Sequence, residues 1–177
     1  HNAVLLDADY KPVRRTIMWT DQRATAECEA LKAGCGEKVF STCFQMPAPT
    51  WTLPQMMWLK ANEPDVLKKA EHVLFVKDYV RYLLTGKAAT DYIEAQGSLM
   101  FDMRSASAFH GNAPTGGSGS VNCAGAGGCS SVNCTKGWDP ELVTLSGLKM
   151  SAMPELIKPT DVVGTITGKA AAETGLP

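Results

Sequence analysis

A helix-rich, mixed α/β fold is what this sequence predicts, and three observations point to it. Two short apolar runs, Ala3 to Asp7 and His72 to Val76, have the length and composition of buried strands. Thr52 to Asn62 has both start and stop signals of a helix. Between Met103 and Lys136 globular patterning lapses and later resumes, so one folded unit is interrupted by an insert.

In chain order, residues 2 to 18 read as two strands around the turn Asp7-Ala8-Asp9-Tyr10-Lys11-Pro12. Thr20 or Asp21 is expected to cap a helix through about Lys32, with Ala24, Cys28 and Leu31 on one face and Gly34 stopping it. A short helix over Glu37 to Thr42 and a proline-rich loop over Met46 to Thr50 follow. Thr52 to Asn62 is the best-specified helix, with Thr52 and Gln55 as a capping box and Pro54 in the first turn. Leu53, Met56 and Met57 share its face, and Pro64 marks its end. Asp65 to Ala70 reads as a short helix and His72 to Val76 as a strand. Asp78 to Leu84 is a helix with Tyr79, Tyr82 and Leu83 inward, ended by Gly86. Asp91 with Glu94 resembles a helix cap, and structural roles are expected for Asp78 and Asp91.

The insert holds eight of the chain's 16 glycines between Gly111 and Gly137, and repeats Ser-Val-Asn-Cys at 120–123 and 131–134. Such sequence buries too little apolar surface to offset its ordering entropy and is expected to be flexible. The expected division is therefore one unit formed by 1–104 and 138–177, with 105–137 as the insert. After Trp138-Asp139-Pro140, Val162 to Ile166 reads as a strand and Lys169 to Thr174 as a helix.

Composition narrows the function classes. With 177 residues the chain has room for a real core. Hydrophobic residues are 45% and charged residues 20%, ordinary for a globular protein. A net charge of −1 and a pI near 6.3 argue against a nucleic-acid partner. No apolar run approaches the roughly 20 residues of a membrane helix. The chain opens at His1, without an initiator methionine or signal-peptide pattern, directly before an apolar run, which reads as an internal start. Six cysteines over this length are too sparse for a disulfide scaffold and read as reduced cytoplasmic thiols.

The motifs between Thr50 and Asp102 run WTxPxxxWLxxNEP, KDYxRYxLTG and TDYxxAxGxLxFD. Together with His1 and the WTDQR of Trp19 to Arg23, they resemble the FGGY carbohydrate kinases, in the xylulokinase-like branch. The resemblance covers nearly the whole chain outside the insert. It implies part of the N-terminal domain of an actin-like, ribonuclease-H-like ATPase fold. It also implies transfer of the terminal phosphoryl group of Mg-ATP, as co-substrate, to a ketose or polyol hydroxyl.

The same comparison assigns residues. His1 stands at the family's sugar-contacting histidine, and an imidazole can donate to or accept from vicinal hydroxyls. Trp19, Asp21 and Arg23 offer an indole face with a carboxylate and a guanidinium, a combination that suits polyols. Their structural alternative is a helix N-terminus with a solvated arginine. Thr50 and Trp51 occupy the acceptor-lining position, with a core role as the alternative for Trp51. Gln55 replaces the family's usual lysine and leaves acceptor identity open.

No catalytic residue is assigned. The sequence contains neither GxxxxGK[ST] nor a DxGT-type turn, and the family's general base lies downstream, so little or no activity is expected of these residues alone. Two alternatives stand beside the kinase reading. One is a non-catalytic remnant or interaction module. The other is a metal-binding protein using His110, Cys123, Cys129 and Cys134, although x5 and x4 spacings lack the CxxC pairs typical of zinc sites, so no metal is expected.

Overall fold

The structure is a computed structural model describing residues 1–105 and 137–177. The insert, with His110, Cys123, Cys129 and Cys134, lies outside the described residues apart from its two ends.

Apolar strands β1 (Ala3–Leu6) and β2 (His72–Phe75) pair antiparallel, Ala3 opposite Phe75 and Leu6 opposite His72. Nearly all of their residues are buried, and alternate positions serve two cores, as the two-residue strand period requires. Ala3, Leu5, Val73 and Phe75 join the main core, whereas Val4, Leu6 and Leu74 join a smaller one with Tyr10, Tyr79 and Tyr82.

The expected second strand over Val13 to Trp19 does not form. Pro12 makes one bridge with Leu6, and the Val13 N–H donates to the Leu5 carbonyl at 2.9 Å. The chain then leaves the sheet, and Arg14 reaches Glu63 through Nε at 3.0 Å and a terminal nitrogen at 3.2 Å.

Helix α1 (Thr25–Cys43) corrects two expectations at once. It begins after Asp21, capped by no side chain, and passes straight through Gly34 and Gly36 to absorb the segment expected as a separate helix. Each glycine costs a helix about 1 kcal/mol relative to alanine. Cys28, Leu31, Val39 and Cys43 nevertheless form one buried stripe at helical spacing, and that continuous apolar contact outweighs the local cost. Phe44, in the left-handed region, ends the helix. The cysteines of this helix are free: Cys28 and Cys43 are buried and Cys35 is half-buried.

Helix α2 (Thr52–Asn62) has the expected bounds and buries Leu53, Met56 and Leu59, with Met57 partly buried against the same core. Pro64 both ends it and starts α3 (Pro64–Lys69). The chain returns through β2 into α4 (Val76–Thr85), stopped by Gly86 at φ 70°. Tyr79 and Tyr82 pack inward and Asp78 is fully buried, but Leu83 is 58% exposed, contrary to expectation.

A second, parallel pair joins β3 (Thr90–Asp91) to β4 (Leu156–Ile157). Between them lie α5 (Tyr92–Gln96) and α6 (Pro140–Ser146), capped by Asp91 and Asp139 respectively. The strand expected over Val162 to Ile166 is absent. Its β-branched residues find no strand partner among the described residues, and Val162 is 91% exposed. The Thr167 side chain then caps α7 (Gly168–Thr174), which packs on α4. Among the described residues, no helix is long and apolar enough to cross a membrane.

Candidate functional site

The first turn of α2 organises the site. Trp51 occupies the N-cap position in extended conformation, without a side-chain cap, so the expected capping box does not form. The two side chains assigned to it have longer-range partners. Buried Thr52 donates through Oγ1 to the His1 carbonyl at 2.6 Å. Gln55 Nε2 donates to the Met18 and Thr50 carbonyls, both at 3.3 Å, while its buried Oε1 has no partner among the described residues. The Leu53 N–H donates to the Ser98 carbonyl at 3.0 Å. The helix start is thus tied to the chain before β1, the loop before α1 and the loop after α5.

His1 lies against this helix start. Its ring stacks on Trp51 with centroids 5.4 Å apart and planes 10° from parallel. Its Nδ1 is 2.9 Å from Glu94 Oε1. Gly97 makes room for the imidazole, since a Cβ there would lie 2.1 Å from His1 Cγ. At a φ of −66°, glycine is needed here for space and not for backbone freedom. Trp51 is half-buried and also touches the main core, so its packing and ring-stacking roles coexist.

Asp21 and Arg23 form a second group. The Arg23 Nε donates to both Asp21 oxygens at 3.0 Å, and a terminal nitrogen donates to Oδ2 at 2.7 Å. Hydrogen bonds from the Arg23 side chain, then from its backbone N–H, hold the Asp21 carboxyl below its ordinary pKa. The expected indole partner is displaced. Trp19 is 64% exposed, and the Arg23 guanidinium instead lies over Trp58, 4.8 Å from the ring centroid.

The structure therefore brings His1, Thr50 and Trp51 together at the start of α2, with Thr50 linked through Gln55. It places Asp21 and Arg23 nearly two turns along the same helix through Trp58. No hydrogen bond or ring contact joins the two groups directly among the described residues. Glu94 and Gly97 were missed as neighbours of His1. Both lie in the TDYxxAxGxLxFD motif, but sequence alone does not place a residue 93 positions away against His1.

Beside this site, Lys77 Nζ bridges Asp78 Oδ1 at 2.6 Å and Asp91 Oδ2 at 2.7 Å. Arg81 approaches Asp78 Oδ1 at 3.0 Å and also donates to the Ala89 carbonyl. Asp91 accepts from the Ile93 and Glu94 N–H groups at 3.1 and 3.0 Å. Burial pushes the Asp91 carboxyl up, but hydrogen bonds from Lys77 and the backbone, with the Lys77 charge, hold it below its ordinary pKa. The structural roles expected of Asp78 and Asp91 fit this geometry.

Residues 1–108 match the FGGY family of carbohydrate kinases, N-terminal domain. The xylulose kinase of Bacillus subtilis (strain 168) is 28% identical over 176 residues, 99% of this chain and 29% of that protein. The xylulose kinase of Escherichia coli (strain K12) is 35% identical over 104 residues, 58% of this chain and 21% of that protein. The solved structure of xylulose kinase from Rhodospirillum rubrum covers all of this chain and 30% of its own length, with a TM-score of 0.78 at 24% identity, a likeness of fold. The chain thus spans about 30% of the length of these fuller matches. It belongs to the FGGY family of carbohydrate kinases, and its helix-rich α/β core is part of that family's actin-like, ribonuclease-H-like ATPase fold.

Proposed function

We propose that these residues form the sugar side of an ATP-dependent kinase acting on a ketose or polyol hydroxyl, with a xylulose-like ketopentose as the favoured acceptor. The observation that carries this reading is the His1 imidazole stacked on Trp51 within the family-matched region. A polyol presents apolar C–H faces and vicinal hydroxyls, and an indole beside an imidazole offers complementary surfaces for both. In this reading His1 bonds a sugar hydroxyl and Thr50 and Trp51 line the acceptor. Asp21, already paired with Arg23, supplies acceptor oxygens at the far side of the pocket. ATP-dependent sugar phosphorylation also places the protein in the cytoplasm, and residues 1–104 with 138–177 act as one unit around the 105–137 insert.

Phosphoryl transfer further requires a phosphate cradle, a metal and a base for the attacking hydroxyl. Among the described residues no His, Cys, Asp and Glu side chains gather as a metal site, and the sequence has no phosphate-loop motif. The described residues do not supply a site for Mg-ATP. What these residues do is orient one hydroxyl of the acceptor.

Calorimetric titration tests the reading. Ketopentoses should bind saturably, and His1→Ala should weaken them roughly three- to tenfold, the worth of one neutral hydrogen bond. Mg-ATP should show no saturable site. A nucleotide site without any sugar binding would contradict the proposal.

A further inference from the structure

We infer that Glu94 is a positioning residue for this pocket: it holds the His1 imidazole in the Nδ1–H tautomer and leaves Nε2 to act as a hydrogen-bond acceptor. The consequence for sugar rests on the proposed function, whereas the tautomer rests on geometry alone. A carboxylate offers only acceptors, so the 2.9 Å contact from Glu94 Oε1 requires the hydrogen on Nδ1. In the neutral ring Nε2 is then bare. Among the described residues nothing bonds Nε2.

The contact is built, not incidental. The Glu94 side chain is only 13% exposed, against 36% for the imidazole. Trp51 fixes the plane of the ring, Gly97 clears the space it fills, and Thr52 holds the His1 carbonyl. Glu94 is itself aligned by Asp91, which caps the five-residue helix α5 and is tied to α4 through Lys77. Each of these restraints acts on ring orientation and leaves Nε2 free.

An acceptor at Nε2 demands a donor from the sugar. Replacing the contacted hydroxyl by fluorine removes its hydrogen while keeping its size and electronegativity. A fluoro sugar should therefore bind about as poorly as the deoxy sugar. A ring protonated at Nε2 would instead discriminate between them.

The test is the two-bond proton–nitrogen correlation spectrum of the 15N-labelled chain at pH 9, above the ordinary imidazole pKa of about 6.5, with His72 as internal reference. His1 should show a protonated Nδ1 and a bare Nε2. Glu94→Ala should shift the ring towards the Nε2–H form that unconstrained imidazole favours, and Gly97→Ala should do the same by expelling the ring. A bare Nδ1 in the wild type, a doubly protonated ring at pH 9, or an unchanged tautomer in folded Glu94→Ala would overturn the inference. If Glu94→Ala fails to fold, the wild-type spectrum decides alone.

Ketopentose titrations form the second arm. The deoxy and fluoro analogues at the contacted position should each bind roughly three- to tenfold more weakly than the parent. Full affinity for the fluoro analogue would overturn the acceptor role. Ketopentose that moves no His1 resonance, with Nδ1 protonated, would sink the sugar reading and leave the Glu94 assignment supported.

Discussion

Two polar clusters meet at α5, and they handle their hydrogen-bonding capacity differently. Around Asp78, two cations face two carboxylates: Lys77 spans Asp78 and Asp91, and Arg81 closes on Asp78. Around His1, the polar atoms are held in position but not used up. Nδ1 is bound by Glu94 and the ring is stacked, while Nε2 remains available. The ionic cluster is not saturated either, since Asp78 Oδ2, Arg81 Nε and Thr90 Oγ1 are buried without hydrogen-bond partners among the described residues. Its charges nevertheless compensate one another, whereas the His1 cluster presents a pre-oriented acceptor with no partner among the described residues. In the proposed reading the first arrangement serves stability and the second serves recognition, with Asp91 and α5 as the link between them.

The sharpest way to break this contrast is at Asp78. Its side chain is fully buried while Lys77 and Arg81 keep partial solvent access, so Asp78→Asn, which weakens charge-assisted hydrogen bonds, should cost about 2 kcal/mol. Urea denaturation reads this directly, and a loss near zero would remove the ionic cluster from the stability account. Asp91→Ala comes next. It removes the α5 cap and one Lys77 partner, and losing the cap alone is worth about 1 kcal/mol. The same variant should loosen Glu94 and so disturb the His1 tautomer, an effect that Asp78→Asn should show more weakly.

Acid pH sharpens the comparison further. Asp91 has a folded pKa below its unfolded value of about 3.9. Its contribution is therefore fully present above that value and is lost as pH falls through the folded pKa. Acid titration of stability should lose this component in the wild type and not in Asp91→Ala.

The smallest stability effect belongs to Asp21. Its pair with Arg23 lies at the surface and is screened by solvent, so Asp21→Asn should leave stability nearly unchanged. A larger loss would make the pair structural and weaken its place in the sugar site.

Local signals account for what was legible in the sequence. The bounds of α2, the β2 run, the Asp91 cap and the proline ending α2 all rest on propensity and capping chemistry within a few residues. Misreadings arose where distant partners decided the outcome. Gly34 looked like a stop, yet the stripe ending at Cys43 carried α1 onward. Thr52 and Gln55 looked like a capping box, but His1, Met18 and Thr50 claimed them. Val162 to Ile166 had strand composition without a strand beside it. At the site, His1 and Trp51 were marked by family motifs, whereas Glu94, Gly97 and Trp58 became visible only once α2 and α5 were folded against the N-terminal segment.

In the proposed reading the start of α2 is a sugar pocket. Chemical-shift mapping of the 177-residue chain with a ketopentose tests it most directly. Saturable shifts are expected at His1, Thr50 and Trp51, with Asp21 and Arg23 following and α7 unmoved. Saturable shifts that leave His1 and Trp51 untouched, or no shifts at any concentration, would contradict it.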